Sequence, residues 1–78
     1  MVAMVNEVCD ALRKSEFVIV FKRPTVRGVE IWLAEGLRVH VYEDRFNPYV
    51  KGNNGYYVHA VVNCLKDQLG MSPTLYVG

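Results

Sequence analysis

Val29-Glu30-Ile31-Trp32-Leu33-Ala34-Glu35-Gly36-Leu37-Arg38-Val39-His40-Val41-Tyr42 alternates apolar and polar residues on both sides of a short turn. Read with Ala34, Glu35 and Gly36 as a three-residue hairpin loop, it pairs Leu33 with Leu37, Ile31 with Val39 and Val29 with Val41. Gly36 then takes the left-handed position that closes a type I turn with a bulge. All six aliphatic side chains point one way, because side chains alternate along a strand. The opposite face receives Trp32 beside Arg38, Glu30 beside His40, and Tyr42. A two-residue loop, Glu35-Gly36, would put Arg38 and His40 among the aliphatics, since a one-residue slip flips a strand's whole side-chain set. That register mixes charge into the core and is rejected.

The rest of the chain supplies layers for this hairpin. Val5, Val8, Cys9 and Leu12 form one apolar stripe in a helix expected over residues 2–14, with Arg13 and Lys14 at the end that suits cations. Phe17 to Lys22 reads as a strand that turns at Arg23-Pro24-Thr25-Val26. The hairpin strands fall at about 27–33 and 37–43. Residues 44–53, with Pro48 and Gly52, read as a long loop. Asn54 caps a second helix with the stripe Val58, Val61, Val62, Leu65 and Leu69, ended by Gly70 and Pro73. The expected fold is therefore an α+β two-layer sandwich in the order α-β-β-β-α. Both helices cover one face of a three-stranded antiparallel meander. Phe17, Ile19 and Phe21 are expected to complete the covered face, and Val18, Val20 and Lys22 to lie outside beside Trp32. Residues 1–70 make one domain, and the tail 71–78, with Leu75-Tyr76-Val77, docks on it or adds an edge strand.

Seventy-eight residues with 51% hydrophobic content suit one small globular domain. The formal charge of +1 is far from that of a dedicated nucleic-acid binder. No apolar run approaches the roughly 18 residues of a membrane span, and Met1 to Val5 lacks the basic region of a signal peptide. Cys9 and Cys64 fall on helix stripes and are expected to be buried thiols. These readings point to a cytoplasmic setting and no membrane association.

Catalytic and cofactor chemistry lacks its usual patterns. His59 and Cys64 do not share a helix face, no Cys-x-x-Cys or His-x-x-x-His pair exists, and neither Ser15 nor Ser72 sits in a nucleophile motif. Glu43 and Asp44 point to opposite sides of a strand. No enzyme activity, metal or cofactor is expected. Gly52-Asn53-Asn54-Gly55 matches the bare Gly-x-x-Gly of KH loops without the apolar helix that precedes it there, and reads as a turn and helix start. The α-β-β-β-α order occurs in double-stranded RNA-binding domains. Their last helix opens with a lysine cluster, where this chain has Gly55-Tyr56-Tyr57-Val58-His59-Ala60, so membership is not claimed.

What remains is the hairpin's outer face. Trp32, Arg38, His40, Tyr42 and Glu30, with Val18 and Val20, exceed what a solvated sheet face requires, and Trp, Tyr and Arg dominate interface hot spots. Phe46 and Tyr49 extend this surface or plug the end of the core. The expected function is that of a small non-enzymatic interaction module, an adaptor or a steric inhibitor of the type phages encode. Through this face it would bind a protein partner or a second copy as a homodimer. Coverage of the face by the tail and plain strand propensity are the bland alternatives. The second functional reading is nucleic-acid binding, with Lys22, Arg23, Arg27, Arg38 and Lys51 contacting phosphates and Trp32 or Tyr42 stacking on bases. Lys22, Arg23, Arg27 and Lys51 serve an acidic partner equally well.

Overall fold

The computed structural model describes residues 3–78, so the expected helix start at residue 2 lies outside the described residues. The elements are α1 (Ala3–Lys14), β1 (Ile19–Pro24), β2 (Gly28–Leu33), β3 (Arg38–Tyr42), β4 (Tyr49–Gly52), α2 (Gly55–Leu69) and β5 (Thr74–Val77), with a short 3₁₀ turn, Ala34–Gly36, between β2 and β3. The fold is α+β, as the residue pattern predicts. Its sheet has five strands in the order β1-β2-β3-β4-β5, a β1-β2-β3 meander extended by two further strands. All neighbours are antiparallel except β4 and β5, which run parallel. A parallel pair needs a long crossover, and α2 provides it.

The hairpin forms in the register derived above. Val29 pairs with Val41, Ile31 with Val39 and Trp32 with Arg38, and the Leu33 N–H donates to the Leu37 carbonyl at 2.8 Å. The turn differs in one respect. Glu35 (φ 68°) as well as Gly36 (φ 74°) is left-handed, where a type I turn with a bulge needs that of Gly36 alone. Ile31, Leu33, Leu37, Val39 and Val41 are buried and Val29 packs against them, together with Val8, Cys9 and Leu12 of α1 and Val58, Val61, Val62 and Leu65 of α2. Both helices therefore lie on one face.

Two corrections concern strands. Residues 49–52, expected as loop, form β4 beside β3, with Val50 fully buried. This strand is only four residues long and is bounded by Pro48 and the packing glycine Gly52, so the usual strand pattern is short of evidence there. A Cβ on Gly52 would sit 2.7 Å from Leu37 Cδ2 and 3.0 Å from Val58 Cγ2. Close approach of the sheet to α2 thus explains this glycine, since neither Gly52 nor Gly55 has positive φ. The second correction is a bulge in β1. Ile19 pairs with Leu33 but Phe21 with Trp32, so Val20 is an extra residue. Beyond it every side chain changes face. Phe21 moves to the outer face and stacks on Trp32, and Lys22 moves to the helix side opposite Ile31. Phe17 and Ile19 pack against the core as expected. The tail forms β5 at the sheet edge, in β4's plane, and does not fold across the outer face.

The helix ends follow from their caps. Asn54 Oδ1 accepts the Tyr56 N–H at 2.9 Å, and Gly70 (φ 67°) ends α2 in the left-handed conformation. At the end of α1 the Phe17 N–H donates to the Leu12 carbonyl and the Glu16 N–H to the Arg13 carbonyl, which places Glu16 (φ 68°) where glycine is preferred. Cys9 and Cys64 are both buried thiols outside any disulfide.

Glu16→Gly is expected to raise stability by about 0.5–1 kcal/mol, the relief of a left-handed side chain net of added unfolded-state freedom. Gly52→Ala is expected to cost about 1–2 kcal/mol by overpacking Leu37 and Val58. Gly28→Ala costs more than Gly52→Ala, because its Cβ would meet the backbone carbonyl of Val41, which cannot rotate away. Urea unfolding midpoints of the three variants test both signs and the order.

Candidate interaction face

The five strands carry two parallel rows of side chains on the face away from the helices. One row runs Phe21, Trp32, Arg38, Lys51 and Tyr76. The other runs Arg23, Glu30, His40, Tyr49 and Thr74, with Tyr42 beyond it on β3. Of the residues singled out in the sequence, Trp32, Arg38, His40, Tyr42 and Glu30 are together on this face, joined by Arg23 and Lys51. Arg27 stands at its rim, over the Tyr42 ring. Val18 and Val20 are exposed but belong to neither row, one preceding β1 and the other bulged. Lys22 is on the opposite side.

Glu30 is the buried centre, at 5% exposure. Its Oε1 accepts the Trp32 indole N–H at 2.9 Å and an Arg23 guanidinium N–H at 2.6 Å. Burial alone would raise the Glu30 pKa, but these two donors and the charges of Arg23 and Arg38 bring it below its ordinary value of 4.5. The indole is held sideways as well. Phe21 stacks on it from β1, with centroids 5.4 Å apart and planes 14° apart, and the Arg38 guanidinium lies 4.7 Å from its centre from β3.

The other end of the face is a cluster of rings. His40 contacts Tyr42 and Tyr49 at centroid distances of 4.6 and 5.3 Å, and Tyr49 meets the Tyr76 ring edge-on at 5.4 Å. Arg27 and Arg45 both lie over Tyr42, at 5.2 and 4.8 Å. Tyr42, Tyr49, Lys51 and Tyr76 line a shallow depression of about 290 Å³. His40 Nε2 shares a hydrogen bond with the Thr25 hydroxyl at 2.8 Å.

Phe21, Tyr76 and Arg45 escaped sequence reasoning. A bulge has no compositional signature, so nothing marked Phe21. Alternation within Leu75-Tyr76-Val77 marks Tyr76 once the tail is taken as a strand. The face is basic: Arg23, Arg27, Arg38, Arg45 and Lys51 are five of the nine lysines and arginines, against Glu30, Glu43 and Asp44 among eight acids. Arg27 and Asp44, 4.0 Å apart and both exposed, are a weak pair. Among the described residues no group of three or more His, Cys, Asp or Glu side chains converges on a metal-sized site. No helix among them is long and apolar enough to cross a membrane.

The two titrating groups give acid sensitivity in two stages. Burial lowers the His40 pKa below 6.5, with Glu30 opposing and Arg27 assisting. The unfolded chain therefore takes up this proton first as pH falls, and stability declines below about pH 6.5 towards the lower folded-state value. Glu30 contributes stability above the ordinary carboxylate value of 4.5, which is lost as pH falls through its depressed folded-state pKa. His40→Gln keeps the bond to Thr25 and is expected to flatten the melting temperature between about pH 7 and pH 5 while leaving the later loss intact. A variant profile parallel to that of the wild type over this window would remove His40 from the account.

No family model, curated protein or solved structure matches the chain, so its function is read from this face alone.

Proposed function

We propose that this protein is a non-enzymatic interaction domain that binds a protein partner through the outer face of its sheet, as an adaptor or a steric inhibitor. The observation that carries this reading is the row Phe21, Trp32, Arg38, Lys51 and Tyr76, which no described element covers. A sheet face turned to water needs only polar residues. Here Phe21 is 47% and Tyr76 53% exposed, and aromatics with arginine are the residue types that carry binding energy.

The arrangement of the rings favours a protein over a nucleic acid. A base-stacking platform needs rings whose faces are free. Trp32 is flanked by Phe21 and Arg38, and Tyr42 by Arg27 and Arg45. These rings spend their faces on neighbours and present a rigid amphipathic surface, which lowers the ordering cost of association. The excess of cations fits a partner with an acidic patch.

Trp32 is half-buried and outside the core cluster. Trp32→Ala is expected to cost about 1–2 kcal/mol of stability, from the lost stacking and indole hydrogen bond, and to leave the fold intact. Trp32→Ala and Arg38→Glu should each weaken partner binding at least about tenfold, and Lys66→Glu on α2 should not. The measurement is affinity for a protein captured by wild type from its native cell extract and then purified, at several salt concentrations. Equal binding by wild type and both face variants would exclude the face. Binding of single-stranded DNA or RNA that falls steeply with salt would transfer the function to nucleic acid. Unfolding of Trp32→Ala would show that Trp32 belongs to the core.

A further inference from the structure

The two edges of the sheet are built differently. β1 carries the Val20 bulge, Lys22, Arg23 and a terminal Pro24, four devices by which an edge refuses further strands. β5, Thr74-Leu75-Tyr76-Val77, has no charge, no bulge and no proline, and its Leu75, Tyr76 and Val77 are 37%, 53% and 51% exposed. Thr74 and Gly78 donate their N–H groups towards β4, to the carbonyls of Pro48 and Gly52. By the two-residue alternation of a strand, the N–H and C=O of Leu75 and Val77 face away from β4. Among the described residues nothing pairs with them.

From this edge and the depression beside it, we infer that the partner supplies an extended acidic segment that pairs with β5 as a sixth strand. The inference rests on the outer-face reading above and specifies how the partner is held. Main-chain bonds to Leu75 and Val77 would give affinity, and alternate side chains would give selectivity. A side chain of the added strand that points outward lies beside Tyr76. It is two strand spacings, roughly 10 Å, from Lys51, a gap that a lysine and a glutamate close between them. Neither β4 nor β5 contains a carboxylate, so Lys51 has no anion beside it within these two strands. A second copy is the poorer occupant: pairing β5 with another β5 brings Tyr76 and no acid to Lys51.

The test uses a fluorescent octapeptide alternating glutamate and valine, its lysine-valine counterpart, and anisotropy. The glutamate peptide is expected to bind at least about tenfold more tightly than the lysine peptide. Val77→Pro removes an outward donor without touching the bonds to β4 and is expected to weaken binding about tenfold. Lys51→Glu is expected to reverse the preference between peptides. Should Val77→Pro fail to fold, N-methylation of Val77 in a synthetic chain removes the same donor. No binding of the glutamate peptide, or unchanged binding by the Val77 variants, overturns the inference. With the purified protein partner in place of the peptide, loss with Trp32→Ala alone keeps the face and excludes the edge, and loss with Val77→Pro alone keeps the edge and excludes the face. Concentration-dependent dimerisation of the free protein that Val77→Pro abolishes would assign the edge to a second copy and overturn the acidic segment.

Discussion

The Leu33 N–H reaches the Leu37 carbonyl across 2.8 Å, and this one bond closes a loop of three residues. A strand side chain has only two directions available, so the loop length decides the direction of every residue from Gly28 to Tyr42. Ile31, Leu33, Leu37, Val39 and Val41 are turned inward and lose nearly all contact with water. Burial of such side chains is worth about 1.5–3 kcal/mol each before entropy is charged against it, which is large beside the net stability of a small domain. A loop one residue shorter would exchange Val39 and Val41 for Arg38 and His40. The layer beneath the helices would then carry charge among Val29, Ile31 and Leu33.

The same constraint assembles the outer face, but a different interaction holds it. Glu30 is a buried carboxylate, a costly group unless it is paired and hydrogen-bonded. It meets both conditions through Trp32 and Arg23, and the three side chains come from two adjacent strands. The indole held by Glu30 then fixes where Phe21 and Arg38 lie. A surface ordered in advance in this way gives up little freedom on binding. The anchor is an acid within a basic face, and its charge is spent internally. The cations towards the rim, Arg27, Arg45 and Lys51, set the sign that an incoming molecule meets.

Much of this was legible in the residues. Alternation around Ala34-Glu35-Gly36 gives the hairpin register, and three- and four-residue spacing gives both helices with their buried faces. Asn54 and Gly70 mark the limits of α2 because each satisfies a backbone requirement that few residues meet. Legibility ends where pattern gives way to local geometry. The inserted Val20 looks like any strand valine, yet it exchanges the faces of Phe21 and Lys22. Tyr49-Val50-Lys51-Gly52 is too short to establish a period, and its pairing with β3 comes from tertiary packing around Val50. The parallel placement of β5 depends on where α2 returns the chain. Within the candidate site, Trp32, Arg38, His40, Tyr42 and Glu30 follow from the hairpin alone. Phe21 and Tyr76 extend the row only once the strands beyond the hairpin are placed.

The central claim is that the outer sheet face, and not the helical side, receives a partner. It is tested most directly by nuclear magnetic resonance of the isotope-labelled protein titrated with its purified partner. The Trp32 indole N–H, already held by Glu30, is the natural reporter. The account predicts that this resonance and the backbone amides of Phe21, Arg38, Lys51 and Tyr76 shift or broaden, while those of the exposed surfaces of α1 and α2 stay in place. Shifts confined to α1 and α2, with the indole resonance unmoved, would contradict it.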